Sequence, residues 1–217
     1  MGIAERQKRE RKQRINAILD AASNVIEEHG IEGAKMEDIA SAAELGKSTI
    51  YNYFASKQIL LAALDLRGII DNEEVGFQKA YDTGKNGLDK TVKICRFYFI
   101  YSMEHEVCFQ AKVQIGRVSS ENFELLMQDS IMQEYMAATK RINKILADAI
   151  SDGIKDGTIR PELDPACTSL LLWSQSNGVI EIMQNRGEMI HNILGITIEQ
   201  IENDFFRDLE LQLAFKK

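Results

Sequence analysis

The stretch from Met36 to Lys57, MEDIASAAELGKSTIYNYFASK, constrains this chain more than any other. It reads as two short helices around a tight turn. Asp38-Ile39-Ala40 with Ala43 gives the first helix a small apolar face, and Glu44-Leu45-Gly46 breaks the periodicity. A second helix, Lys47 to Tyr53, then resumes it, with Ile50 and Phe54 four apart on one side. Its other side offers Lys47, Ser48, Thr49, Tyr51, Asn52 and Tyr53. A helix-turn-helix requires this division, with one face packed and the other free to reach DNA. The alternative is an ordinary helical hairpin with a solvated polar face. Two tyrosines on that face favour the nucleic-acid reading. So does Lys57 at the start of the next helix, where its charge and the helix amides can both meet phosphate.

The segment Gly30 to Leu60 resembles the DNA-binding module of TetR-family transcriptional regulators. The matching residues are Gly30, Gly33, Asp38-Ile39-Ala40, Ala43, Lys47, Thr49-Ile50-Tyr51, Tyr53-Phe54, Ser56-Lys57 and Leu60. The upstream helix from Ile15 is similar to the family's first helix, with Ile18, Leu19, Ala22, Val25 and Ile26 expected to pack inward. Three departures stand out. Lys35 occupies a position where the family usually has a capping Ser or Thr, a cap typically worth ~1 kcal/mol. Glu44 replaces the usual turn glycine, so a side chain is expected in a strained backbone region. Gly46 stands where a Ser cap is usual, and Ser48 where Gly is common.

The net charge of -7 argues at first against a nucleic-acid binder. Its distribution answers the objection. Within residues 1 to 14, Arg6, Lys8, Arg9, Arg11, Lys12 and Arg14 outnumber Glu5 and Glu10, a local net of +4. Read alone, such an arm is a solvated, frayed terminus. Beside a helix-turn-helix it is expected to track the phosphate backbone. The N-terminus is charged throughout, so no signal peptide is expected. No apolar run approaches the ~20 residues of a membrane span, and the expected location is the cytoplasm.

Cys95, Cys108 and Cys167 are widely spaced and form no CxxC or Cys-His cluster, so neither a disulfide scaffold nor a metal site is expected. There is no GxSxG, no phosphate-cradling glycine loop and no HExxH, so neither catalytic residues nor a cofactor is expected.

The remaining chain is dominated by helical periodicity, with prolines only at 161 and 165. One helix is expected from Gln58 to about Phe77, joining two modules. After a turn-rich break at residues 82–87, Leu88 to His105 is apolar nearly all round and suits the centre of a bundle. A short helix follows over Val107 to Ile115, then one long pattern from Glu121 to Ile154. Asp164 and Pro165 are a good cap and first turn for the next helix. Leu170 to Met183 and Ile198 to Leu213 are strongly apolar helices.

The predicted fold is all-α. A three-helix helix-turn-helix module with its basic arm occupies residues 1–57, and a helical bundle for ligand binding and dimerisation occupies 58–217. The resemblance implies a homodimer through the last two helices, reading a palindromic operator in double-stranded DNA. Candidate DNA contacts are Lys35, Met36, Lys47, Ser48, Thr49, Tyr51, Asn52, Tyr53 and Lys57. The family's small-molecule pocket implies Phe97, Tyr98, Tyr101, His105, Phe109, Met127, Tyr135, Trp173 and Asn177 as effector contacts. The expected function is a DNA-binding regulator, a repressor released when a small apolar or aromatic ligand enters the bundle, with the long helix from Gln58 as lever. A helical protein-interaction module, or a regulator (including an activator) without an inducer, is the alternative.

Overall fold

The computed structural model describes residues 2–215, whose regular structure is helical. The one exception among them is an isolated antiparallel bridge between Ile159 and Ala214. Chain contacts divide the protein into two compact units. One comprises the chain up to Arg67 with Val107–Met136, and the other Gly68–Glu106 with residues 137 onward.

In the first unit, α1 (Ile3–Gly33) absorbs most of the basic segment, so the expected arm is helical. The helix kinks at Gly30, whose φ of 71° suits a residue without a Cβ. α2 (Met36–Ala42) and α3 (Lys47–Tyr51) follow. α4 (Lys57–Gly68) begins where Ser56 Oγ accepts from the Ile59 amide at 3.3 Å. Ile18, Ala22, Ile39, Ile50, Phe54, Leu60 and Leu64 are fully buried, so the apolar face read from the sequence is the core of this unit. α7 (Glu106–Gly116) and α8 (Ser120–Leu126) complete it, with the start of α9 (Ser130–Asp156). The single helix expected over Glu121 to Ile154 is therefore two. Asp129 Oδ1 accepts from the Ile131 amide at 2.8 Å, and this local cap starts α9 afresh after a turn at 127–129.

The helix from Lys57 does run past Phe77, but through a π turn at Ile69–Glu73 into α5 (Glu74–Asp82). A π turn adds a residue to the repeat without altering the apolar pattern enough to be read.

In the second unit, α6 (Gly87–Glu104) packs against α5, α10 (Pro165–Leu194) and α11 (Ile198–Leu213). Its burial of Ile94, Cys95, Tyr98, Phe99 and Tyr101 fits the central position expected for it. Asn86 caps α6, accepting from the Asp89 amide at 2.9 Å. Asp164 caps α10 through the Cys167 amide at 2.7 Å, as the Asp-Pro pair predicts. α10 runs on to Leu194, well beyond Met183, and ends on Gly195 at φ 68°. A reciprocal Thr197–Gln200 capping box then opens α11.

Tyr81 and Lys90 both donate to Asp152, at 2.6 and 2.8 Å, tying α5 and α6 to α9. Lys90 and then Tyr81 hold the Asp152 carboxyl below its ordinary range. The start of α6 lies so close to α9 that a Cβ on Gly87 would sit 1.9 Å from the Gly153 amide nitrogen. Backbone cannot yield as a side-chain tip does. Gly87→Ala is expected to cost about 3 kcal/mol, the upper end for overpacking, read as a lower urea midpoint.

Candidate nucleic-acid interface and effector pocket

α2 ends in a Schellman turn. The Leu45 amide donates to the Ala40 carbonyl at 2.8 Å and the Glu44 amide to the Ser41 carbonyl at 3.0 Å. This geometry needs a left-handed residue, and Glu44 supplies it at φ 55°, the strained position expected for a side chain there. Gly46 then caps α3 without a side-chain hydrogen bond, and Lys35 likewise caps α2 without one. The regular helix stops at Tyr51, short of the expected Tyr53. Tighter bonds carry the chain on, from the Asn52 amide to Thr49 at 3.1 Å and from the Tyr53 amide to Ile50 at 3.0 Å.

Ile50 anchors α3, and the opposite face is open. Lys47, Ser48 and Asn52 are exposed, Tyr51 is 40 % exposed, and Thr49 and Tyr53 are half-buried. Lys35 is exposed, whereas Met36 is buried and faces the core. Lys47 Nζ lies 2.7 Å from Glu37 Oε1, a pairing across α2 and α3 that periodicity gave no hint of. The Lys47 hydrogen bond lowers the Glu37 pKa and Glu37 raises that of Lys47. The Arg11 guanidinium sits over the Tyr53 ring, 5.0 Å from its centroid. An open groove of about 560 Å³ runs beside them, lined by Gln7, Glu10, Gln13 and Arg14.

Lys57 has a structural job that sequence reasoning missed. Its Nζ donates to the Ile31 carbonyl at 2.5 Å and lies 3.5 Å from that of Glu32, closing the end of α1. Burial lowers its pKa, with the Glu32 charge opposing.

The nine residues expected to line an effector pocket divide between the units. Phe109, Met127 and Tyr135 belong to the first, where Phe109 and Tyr135 are buried and Met127 half-buried. Phe97, Tyr98, Tyr101, His105, Trp173 and Asn177 belong to the second. There, Tyr98 Oη donates to Asn177 Oδ1 at 2.6 Å. Phe97 stacks on Tyr101 at 5.9 Å between centroids, and Tyr101 on His105 at 4.2 Å. His105 is exposed at the end of α6. Tyr98 and Trp173 also face a small cavity of about 20 Å³, with Phe77, Ile94, Cys95 and Leu146 among its other walls. Burial pushes the Cys95 thiol up to about 12, which keeps it protonated and inert. Among the described residues, no group of three or more His, Cys, Asp or Glu is placed to hold a metal ion. None of their helices is long and apolar enough to cross a membrane.

A buried three-helix core that presents a short polar helix, ahead of further helices, is the architecture of a helix-turn-helix module. Residues 18–64, which hold α2, α3 and most of α4, match the family described as bacterial regulatory proteins, tetR family. The chain is similar to the HTH-type transcriptional repressor KstR2 of Mycobacterium tuberculosis, 26% identical over 147 residues, which cover 68% of this chain and 70% of that one. It is also similar to the HTH-type transcriptional regulator UidR of Escherichia coli, 25% identical over 170 residues, covering 75% and 78%. Among solved structures, the M. tuberculosis ketosteroid transcriptional regulator KstR2 aligns with a TM-score of 0.66 at 19% identity, covering 94% of this chain and 96% of that one. FadR from Bacillus subtilis in complex with stearoyl-CoA aligns with the same score of 0.66 at 19% identity, covering 90% and 97%. Members of this family bind operator DNA and small-molecule effectors, typically as dimers.

Proposed function

We propose that the chain is a cytoplasmic, effector-responsive repressor that works as a homodimer through α10 and α11 on a palindromic operator. The carrying observation is the solvent-facing polar side of α3, with Lys47, Ser48, Tyr51 and Asn52 exposed above a core anchored by Ile50. In this reading residues 1–57 grip DNA and residues 58–217 regulate. Lys47, Thr49, Tyr51 and Asn52 face base edges, while Ser48, Tyr53, Lys57, Lys35 and the basic start of α1 hold phosphates. Met36, turned inward, serves by fixing the start of α2. Two copies of α3 enter successive major grooves about 34–36 Å apart.

The effector enters the second unit among Phe97, Tyr98, Tyr101, Trp173 and Asn177. A drug-sized ligand needs roughly 300 Å³ or more, so α5, α6, α9 and α10 must part around the small cavity to admit it. The stearoyl-CoA held by B. subtilis FadR supports an effector with an apolar body. Such a ligand releases DNA only by binding the DNA-incompetent state more tightly. The unbroken run of α4, the π turn and α5 is the proposed lever between sites.

The test is fluorescence anisotropy on duplex from the chain's own upstream region, against scrambled duplex, across a salt series. The wild type is expected to prefer the upstream duplex. Tyr53→Ala is expected to lose about tenfold in affinity and to flatten the salt slope by about one, because Arg11 loses its ring. Unchanged affinity and slope would remove the DNA-contact assignment.

A further inference from the structure

A carboxylate on the face of a protein that meets DNA is repelled by phosphate, and Glu37 is such a group. It lies in the first turn of α2, half exposed, with Oε1 2.7 Å from Lys47 Nζ at the start of α3. Lys35 adds a second positive charge within electrostatic reach. The carboxylate is thus neutralised on the protein's own surface by Lys47, with a further hydrogen bond from its own backbone amide. An ionised carboxylate has about four lone-pair sites, more than these two partners use.

An ionised carboxylate has only acceptors, and an ammonium has only donors. In the major groove cytosine presents the N4 amino donor, and guanine presents the O6 and N7 acceptors. A side-by-side acceptor and donor on one edge of the interface therefore match the two halves of one G·C pair, or two neighbouring pairs. An A·T pair also sets a donor, the adenine N6 amino group, beside acceptors, but only guanine turns two acceptors on one base, O6 and N7, to the ammonium, and this favours G·C. The ion pair also takes from Lys47 much of its attraction for phosphate, since a neutral pair releases no counterion.

We propose that Glu37, paired with Lys47, determines specificity: Glu37 accepts from a cytosine N4 amino group while holding the Lys47 ammonium toward guanine, so that each operator half-site requires a G·C pair at one fixed position. This rests on the reading of α2 and α3 as the DNA face.

The experiment begins by selecting duplexes from a random pool with the full-length wild-type chain. Affinities of wild type and of Glu37→Gln are then measured for the selected duplex and for every single-pair replacement of it. Glu37 lies at the surface, so Glu37→Gln is expected to fold, with an unchanged circular-dichroism melt. The wild type is expected to lose at least tenfold when one G·C pair per half-site is replaced by A·T. Glu37→Gln is expected to flatten that one column to about threefold or less, keep the other columns, bind random duplex more tightly and steepen its salt slope by about one as Lys47 turns to phosphate. A uniform loss across all duplexes would mean that Glu37 only braces α2 on α3, and would overturn the proposal. So would a specificity profile identical to the wild type. A wild-type chain that enriches no duplex would sink the DNA-binding reading itself, and this proposal with it.

Discussion

Ile182→Glu combined with Ile193→Glu is expected to convert the protein from dimer to monomer and to weaken operator binding on the order of 100-fold, with the protomer still folded. Among the described residues, the large hydrophobic side chains left open concentrate on α10 and α11, including Leu170, Leu171, Ile182, Met189, Ile193, Leu194, Ile198 and Leu211. On α10 they are ordered. Leu171, Gly178, Ile182, Met189 and Ile193 follow at steps of seven, four, seven and four residues. At 3.6 residues per turn these positions share an arc of roughly 60°. That is a seam, and a seam left in water calls for a partner. Gly178 lies within it with open space around its would-be Cβ, which lets a second helix approach closely.

Ile182 is 49% and Ile193 69% exposed in the protomer, so glutamate at either site meets water and not core. In a two-fold dimer the same charges face their own copies across the axis. Losing the dimer removes the second half-site from every binding event, and the avidity so forfeited spans about 10²–10⁴. Sedimentation at micromolar concentration reads the assembly, and anisotropy on whole-operator and half-site duplexes reads the binding. Half-site affinity is expected to stay at the wild-type value. A double variant that still sediments as a dimer would move the interface elsewhere, and a monomeric wild type would end the two-fold reading.

What was legible in the sequence follows from what periodicity encodes. The apolar spacing of Ile39, Ile50, Phe54 and Leu60 marks positions that must be buried together, and they are. The strained turn at Glu44 was legible because the motif requires a left-handed residue there. Side-chain pairing across helices leaves no such trace. Nothing in the spacing says that Lys47 meets Glu37 or that Lys57 closes the end of α1. The break before α9 rests on one local hydrogen bond from Asp129, which a long apolar pattern conceals. The effector residues were the least legible. An aromatic at helical spacing reads the same whether it fills a core, like Phe109, or partners a polar group, like Tyr98 with Asn177.

The second large effect is expected from an ion pair that the spacing also hides. In the first unit, Asp65 of α4 is 0% exposed and Lys112 of α7 is 7% exposed, with Lys112 Nζ 3.9 Å from Asp65 Oδ1. Two charges taken out of water lose hydration that their attraction only partly returns, so the pair adds little stability over apolar residues of similar volume. Removing one partner is different, because the other charge then stays buried and loses this ion-pair contact. Lys112→Met is expected to cost about 3–5 kcal/mol, and Asp65→Leu a similar amount, in urea unfolding. The double variant is expected to return to wild-type stability or exceed it by about 1–4 kcal/mol. The cycle thus predicts strong non-additivity between α4 and α7. Single losses below about 1 kcal/mol would show the pair to be hydrated and of no consequence. The functional stake is that α4 begins directly after the proposed DNA-reading helices and is the proposed lever. An apolar replacement holds α4 to α7 through packing alone, without the directional demand of a charge pair. The double variant is therefore expected to keep its stability and operator affinity while losing part of its response to effector. Full response in that variant would assign the ion pair to folding alone.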